Sequence, residues 1–230
     1  MKMATDTQTL KYLPLLGMLI ITAQLAASVL GPRTISVGPF LLPGGIWSFP
    51  LTFFMWDIVT EVYGFKRARQ LIWYYLFAQI IFAFLVDFGL QMPAAKSVAY
   101  PQLYSMVLGN ILKITISMVI AIICGDFVNC YILDRMRFLT NGKYLWMRLI
   151  GATALGELMT SIIWVVAFYS GTNLHPNLWY LIVSQYIIKI LIEIALVPVT
   201  YLIVNFLKKN ENLDFTRRYT NFDPYTLELV

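Results

Sequence analysis

Six apolar blocks, each near the 20 residues needed to cross a hydrocarbon core as a helix, constrain this chain more than any other feature. They fall at 10–30, 46–63, 71–90, 105–133, 147–168 and 178–207. Of the 230 residues, 59% are hydrophobic and only 13% charged, with a mean hydropathy of +0.71. A soluble domain carries about a quarter charged residues, so the sequence predicts an all-α integral membrane protein with six transmembrane helices. The domain reading is a single membrane unit over 1–209 followed by a polar tail over 210–230. The first apolar block is full length and lacks a small-residue cleavage site, so it reads as a retained helix.

Basic residues fix the expected orientation. Thirteen of the 17 Lys and Arg, including Lys66, Arg67, Arg69, Arg137, Arg148 and Lys208, fall on one side of the predicted spans. Only Arg33 and Lys96 fall on the other, and Lys113 and Lys189 lie within spans. Such a bias places the basic side, and with it both termini, in the cytoplasm of a multi-pass inner-membrane protein. Trp47, Trp73, Trp146 and Trp179 sit near span ends, where indole rings settle at the interface. The net charge of +5 is therefore topological and gives no reason to expect nucleic acid. Between the first two blocks, GPRTISVGPFLLPGGIW reads as an outer loop or re-entrant segment able to act as a lid.

Polar groups inside the blocks carry the functional signal, because an acid near mid-membrane costs roughly 2.5–3.5 kcal/mol on insertion scales. At 100° per residue, Pro50, Phe53, Phe54, Asp57, Thr60 and Glu61 share a face of the second block. Thr153, Glu157, Thr160, Ser161 and Trp164 share one on the fifth, and Gln185, Lys189, Glu193 and Thr200 one on the sixth, beside Tyr186. The fourth carries Asp126 and Asn129 on adjacent ridges. These faces are expected to meet inside the bundle or to line a water-filled cavity. Asp57, Glu157 and Lys189 stand out as deep charges on three different spans.

Several charges also have local explanations. Lys189 precedes Glu193 by four residues and could neutralise it along one helix. Glu61 lies near the basic end, where Arg67 or Arg69 could face it. Asp87 is near an outer end, and Lys113 can snorkel. Ala23 and Ala27 give a small-xxx-small spacing that permits close helix approach. The lone His175 precedes Pro176 in an outer loop and has no partners for a metal, and nothing in the sequence calls for a cofactor. Cys124 and Cys130 lie in one apolar block, which argues against a disulfide framework. No HExxH, GxSxG, Walker A or strand-linked GxGxxG pattern occurs, so neither an intramembrane enzyme nor a resident ATPase is expected.

The runs DIVTEVYGFKRAR, DFVNCYILDRMR, RLIGATALGE and YIIKILIEIALVPVTY, in that order, resemble the queuosine precursor transporter family. The resemblance covers residues from about 49 to 201. It implies a six-helix fold similar to the substrate-binding S-components of energy-coupling-factor vitamin transporters. It also implies uptake of 7-deazaguanines such as 7-cyano-7-deazaguanine, 7-aminomethyl-7-deazaguanine or queuine. Asp57, Gly64, Arg69, Asn129, Arg148, Tyr186, Lys189 and Pro198 match the family pattern. Where the family has an amide followed three residues later by an aspartate, this chain has Glu157 and then Thr160. By the same resemblance, Ala23 and Ala27 would dock an energising partner; proton coupling through the deep acids is the alternative.

A 7-deazaguanine shows N1–H and an exocyclic amine as donors beside the O6 acceptor. A buried carboxylate can take both donors, an amide or ammonium can serve O6, and aromatic faces can sandwich the ring. The expected substrate site therefore comprises Asp57, Asn129, Glu157, Lys189, Phe53, Phe54, Thr160, Trp164, Gln185 and Tyr186. An S-component-like carrier for another vitamin or purine-like compound is the alternative reading.

Overall fold

The computed structural model describes residues 10–93, 95, 100, 102–170 and 177–211. Helix α1 spans Leu13–Leu30, α2 Phe49–Tyr63, α3 Phe65–Gln91, α4 Gln102–Leu108, α5 Ile111–Leu139, α6 Leu145–Tyr169 and α7 Leu178–Glu211. Five stretches are long and apolar enough to cross a membrane: α1, α3, α4 continued into α5, α6 and α7. Their outer faces carry Phe77, Phe84, Leu85, Met106 and Leu202, all exposed, as lipid-facing surfaces require. The protein is thus an all-α membrane bundle. His175, Lys96 and the tail beyond Glu211 lie outside the described residues.

The expected second span behaves differently from the other five. Helix α2 has 15 residues, a rise of about 22 Å, which is shorter than the roughly 30 Å hydrocarbon core. All but one of the residues from Phe49 to Tyr63 are buried, and the exception is Leu51. The single polar face expected for this helix is therefore not a meaningful division, because protein surrounds it on every side. Pro50 sits in its first turn, where a missing N–H is harmless. Gly64 ends it at φ 81° and ψ 167°, a backbone region open essentially only to glycine, and α3 starts at the next residue.

The Gly/Pro-rich segment forms a β-hairpin, which the loop reading did not anticipate. Strand β1 (Thr34–Val37) pairs antiparallel with β2 (Phe40–Pro43), with Val37 opposite Phe40 and Thr34 opposite Pro43. Gly38 at φ 58° and Pro39 make the turn. A 3-10 turn over Gly44–Trp47 then leads into α2. The hairpin is held at its tip by the Tyr180 hydroxyl, which donates to the Pro39 carbonyl. At its base the Thr34 side chain lies close to the Tyr169 hydroxyl.

Ala23 and Ala27 do serve close packing, but within the chain. Both are buried, Ala27 completely, and a side chain at Gly45 would meet the Ala27 carbonyl at 3.0 Å. Ala27 thus packs directly against Gly45 of the 3-10 turn. Helices α5 and α6 cross closest at Gly125 and Gly156. A Cβ on Gly156 would lie 2.7 Å from that of Asn129, and one on Gly125 would strike the Thr160 side chain. This crossing brings Asn129, Glu157 and Thr160 into one neighbourhood.

Candidate functional site

Two buried polar clusters occupy the interior, and α2 contributes to both. At the end of the bundle away from the hairpin, Glu61 accepts from Arg148 Nη1 at 2.6 Å and from Lys208 Nζ at 2.6 Å. Arg137 donates to the Glu61 carbonyl at 2.8 Å. Arg148 also binds the Lys143 carbonyl through Nε at 3.1 Å and the Gly142 carbonyl at 3.4 Å, bracing the α5–α6 turn. Nearby, Glu211 accepts from the Tyr63 hydroxyl at 2.7 Å and the Tyr12 amide at 2.9 Å. Glu61 is therefore an ion-pair residue, but its partners are Arg148 and Lys208, drawn from α6 and α7, and not Arg67 or Arg69.

One turn earlier on α2, Asp57 is completely buried in different company. Asn129 donates to its Oδ1 at 3.0 Å, Thr153 donates to its Oδ2 at 3.5 Å, and the Glu193 carboxyl lies close to it. Glu193 is thus not neutralised by Lys189 along α7. Instead Lys189 reaches across to α6, where Nζ meets Glu157 Oε2 at 2.8 Å. The same ammonium stands 4.5 Å from the Phe49 ring centre and 5.5 Å from that of Phe53, in cation–π range.

Beside this pair, towards the hairpin, lies a narrow, partly open crevice. Gln24, Phe49, Met118, Ala121, Ile122, Thr160, Trp164, Gln185 and Lys189 line it. Trp164 stacks on Phe168 at 5.7 Å and meets Tyr169 edge-on at the same distance, forming an aromatic wall. Several polar atoms here have no hydrogen-bond partner: Gln24 Oε1, Glu157 Oε1, Ser161 Oγ and Trp164 Nε1. Buried groups of this kind are costly to leave unsatisfied, so they mark where a polar ligand is welcome.

The expected site residues therefore separate. Thr160, Trp164, Gln185 and Lys189 line the cavity, and Glu157 and Phe53 adjoin it through Lys189. Asp57 and Asn129 belong to the carboxyl cluster. Tyr186 is half-buried and donates to the Ala154 carbonyl at 3.2 Å, off the lining. Phe54 is buried in the core and also off the lining. The site reading missed Gln24, Phe49 and the α5 positions Met118, Ala121 and Ile122. Gln24 was visible as an amide midway along an otherwise apolar block. The three α5 residues have no polar signal and could be found only from packing.

A membrane bundle with a polar and aromatic crevice beside buried charges is an architecture suited to a small-molecule transporter. Residues 43–203 match the family model described as "Putative vitamin uptake transporter", and the chain belongs to that family. A curated relative, "Probable queuosine precursor transporter" of Bacillus subtilis (strain 168), is 23% identical over 152 residues. The match covers 65% of this chain and 66% of that protein, so the chain spans about two thirds of the relative's length. No solved structure matches.

Proposed function

We propose that the protein imports a 7-deazaguanine precursor of queuosine across the inner membrane, holding it in the cavity beside Lys189 and Glu157. The observation that carries this reading is the Lys189–Glu157 pair itself, set under the Phe49 and Phe53 rings and next to Trp164. It offers an ammonium to O6, a free carboxylate oxygen to the donor edge and flat apolar faces to the ring. Gln185 and Thr160 complete the walls, and the relative's name supplies the substrate class. The basic end, with Glu61, Arg148 and Lys208, faces the cytoplasm, and the hairpin covers the outer entrance.

Uptake of a labelled 7-deazaguanine by cells expressing Glu157→Ala or Lys189→Ala variants, with membrane levels matched, tests the site. Both variants are expected to lose at least about tenfold in uptake, the value of one charge-assisted hydrogen bond. Wild-type uptake in both would remove these residues from the site. Binding of another vitamin-like heterocycle, without affinity for 7-deazaguanines, would keep the transporter class and overturn the substrate.

Asp57 and Glu193 bring two acids together in the bundle interior, which favours proton coupling as the driving force. Proteoliposomes containing only this protein are expected to accumulate substrate when a proton gradient is imposed. Binding without gradient-driven accumulation would point to a partner instead.

A further inference from the structure

Helix α1 turns Gln24, Ala27, Ser28 and Gly31 onto one inward face by their i, i+3, i+4, i+7 spacing. Gln24 and Ser28 are its polar members, and both are buried, at 1% and 0% exposure. Their circumstances differ. Ser28 Oγ accepts from Gln79 Nε2 of α3 at 2.5 Å, donates to the Gln24 carbonyl at 2.9 Å and lies 3.2 Å from Met118 Sδ of α5. It ties three helices together, a common task of a polar residue inside a membrane bundle. Gln24 Oε1 has no hydrogen-bond partner, and the residue lines the crevice.

The crevice holds a second amide for comparison. Gln185 on α7 already donates to the Ser161 carbonyl of α6 at 3.4 Å. Gln24 instead stands with Met118, Ala121 and Ile122, the otherwise apolar part of the lining that α1 and α5 supply. An unmatched amide in such surroundings destabilises the fold unless something else meets it. A primary amide presents an acceptor and a donor side by side. It pairs through two hydrogen bonds at once with a planar group carrying the converse pair, an N–H next to a carbonyl or ring-nitrogen acceptor. The α1 and α5 lining offers no charge, so the group it suits is neutral. Trp164 supplies a flat face in the same crevice, with its Nε1 likewise unpartnered. The end of α1 packs on that ring, since a Cβ on Gly31 would lie 3.4 Å from Trp164 Cζ2. One helix therefore positions both the amide and the aromatic wall.

We infer that Gln24 is a ligand-contacting residue, holding through paired hydrogen bonds the adjacent donor and acceptor of a neutral, planar nitrogen heterocycle. Gln79 is a positioning residue that acts through Ser28 on the turn of α1 carrying Gln24. The assignment rests on the small-molecule site proposed above but not on which heterocycle is carried. The full-length protein in nanodiscs is titrated with 7-deazaguanine, guanine and pterin, three heterocycles that carry such a pair. Gln24→Leu, which roughly keeps the volume and removes the amide, is expected to weaken every probe that binds by at least about tenfold. Without ligand, the same variant is expected to melt at or above the wild-type temperature, because it removes an unmatched buried amide. Gln79→Leu is expected to melt below wild type, having lost its bond to Ser28, with a smaller fall in affinity than Gln24→Leu. Wild-type affinity in Gln24→Leu, or a melting temperature well below wild type, would overturn the assignment and leave the proposed substrate class standing. If 7-deazaguanine fails to bind while another probe binds in a Gln24-dependent way, the substrate class falls and the assignment stands. If no probe binds, both fall.

Discussion

Asp57 and Glu61 are one turn apart on the same helix and equally shut off from water and lipid, yet their surroundings are opposites. Glu61 is met by a guanidinium and an ammonium, and the Arg137 side chain donates to the Glu61 backbone carbonyl. Asp57 is met by an amide, a hydroxyl and another carboxyl. The first environment spends every charge on joining α2 to α5, α6 and α7. The second leaves polar atoms nearby without a protein partner, among them Asn129 Oδ1 and Glu157 Oε1. Burial of an acid therefore does not by itself mark function in a membrane bundle. What separates the two ends is whether protein partners already account for the charge.

The contrast can be broken most severely at Arg148. Arg148→Ala leaves Glu61 with only the half-exposed Lys208 and removes the brace on the α5–α6 turn. The expected loss is about 3–5 kcal/mol, read as a fall in denaturation midpoint in detergent. A variant as stable as wild type would mean the basic end is not a structural clasp. Next in size, Gly125→Ala drives a methyl into Thr160 at the α5–α6 crossing, at a cost of about 1–3 kcal/mol. Its substrate affinity should fall as well, because Thr160 lines the cavity.

Asp57→Asn sharpens the comparison from the other side. It replaces one of two neighbouring carboxyls with an amide, so stability should stay within about 0.5 kcal/mol of wild type or rise, the range of a change that breaks no favourable network. Gradient-driven accumulation should be lost while ligand binding persists. A large destabilisation there would place Asp57 in the same class as Glu61. The smallest effect belongs to Lys208→Ala. Its side chain is 32% exposed, and removing it should cost less than about 1 kcal/mol and weaken further with added salt.

Much of the architecture was legible because the bilayer sets so few rules. Span length, the Lys and Arg asymmetry and the inward polar faces led to a helical bundle with Glu157 and Lys189 inside. The failures are specific. Lys189 and Glu193 look like a helical i,i+4 pair, but sequence spacing cannot say that α6 offers a nearer acid at Glu157. Ala23 and Ala27 read as a close-approach spacing for another helix, and only the folded chain shows Ala27 packed against Gly45 of the 3-10 turn. The hairpin had a signal in VGPF, a Gly-Pro turn between apolar residues, but a four-residue strand is a faint feature beside 20-residue blocks. The division of the site residues between cavity and carboxyl cluster depends on the α5–α6 crossing depth, set by Gly125 and Gly156, which no single-helix projection contains.

The brevity of α2 has a consequence for biogenesis. With 15 residues, two acids and no lipid-facing side, it is a poor candidate to partition into the bilayer unaided as it leaves the insertion machinery. Its tenancy depends on later-made segments. Arg148 on α6 and Lys208 on α7 neutralise Glu61 only after most of the chain has been synthesised. The ion pairs that neutralise Glu61 thus form only once α6 and α7 are in place.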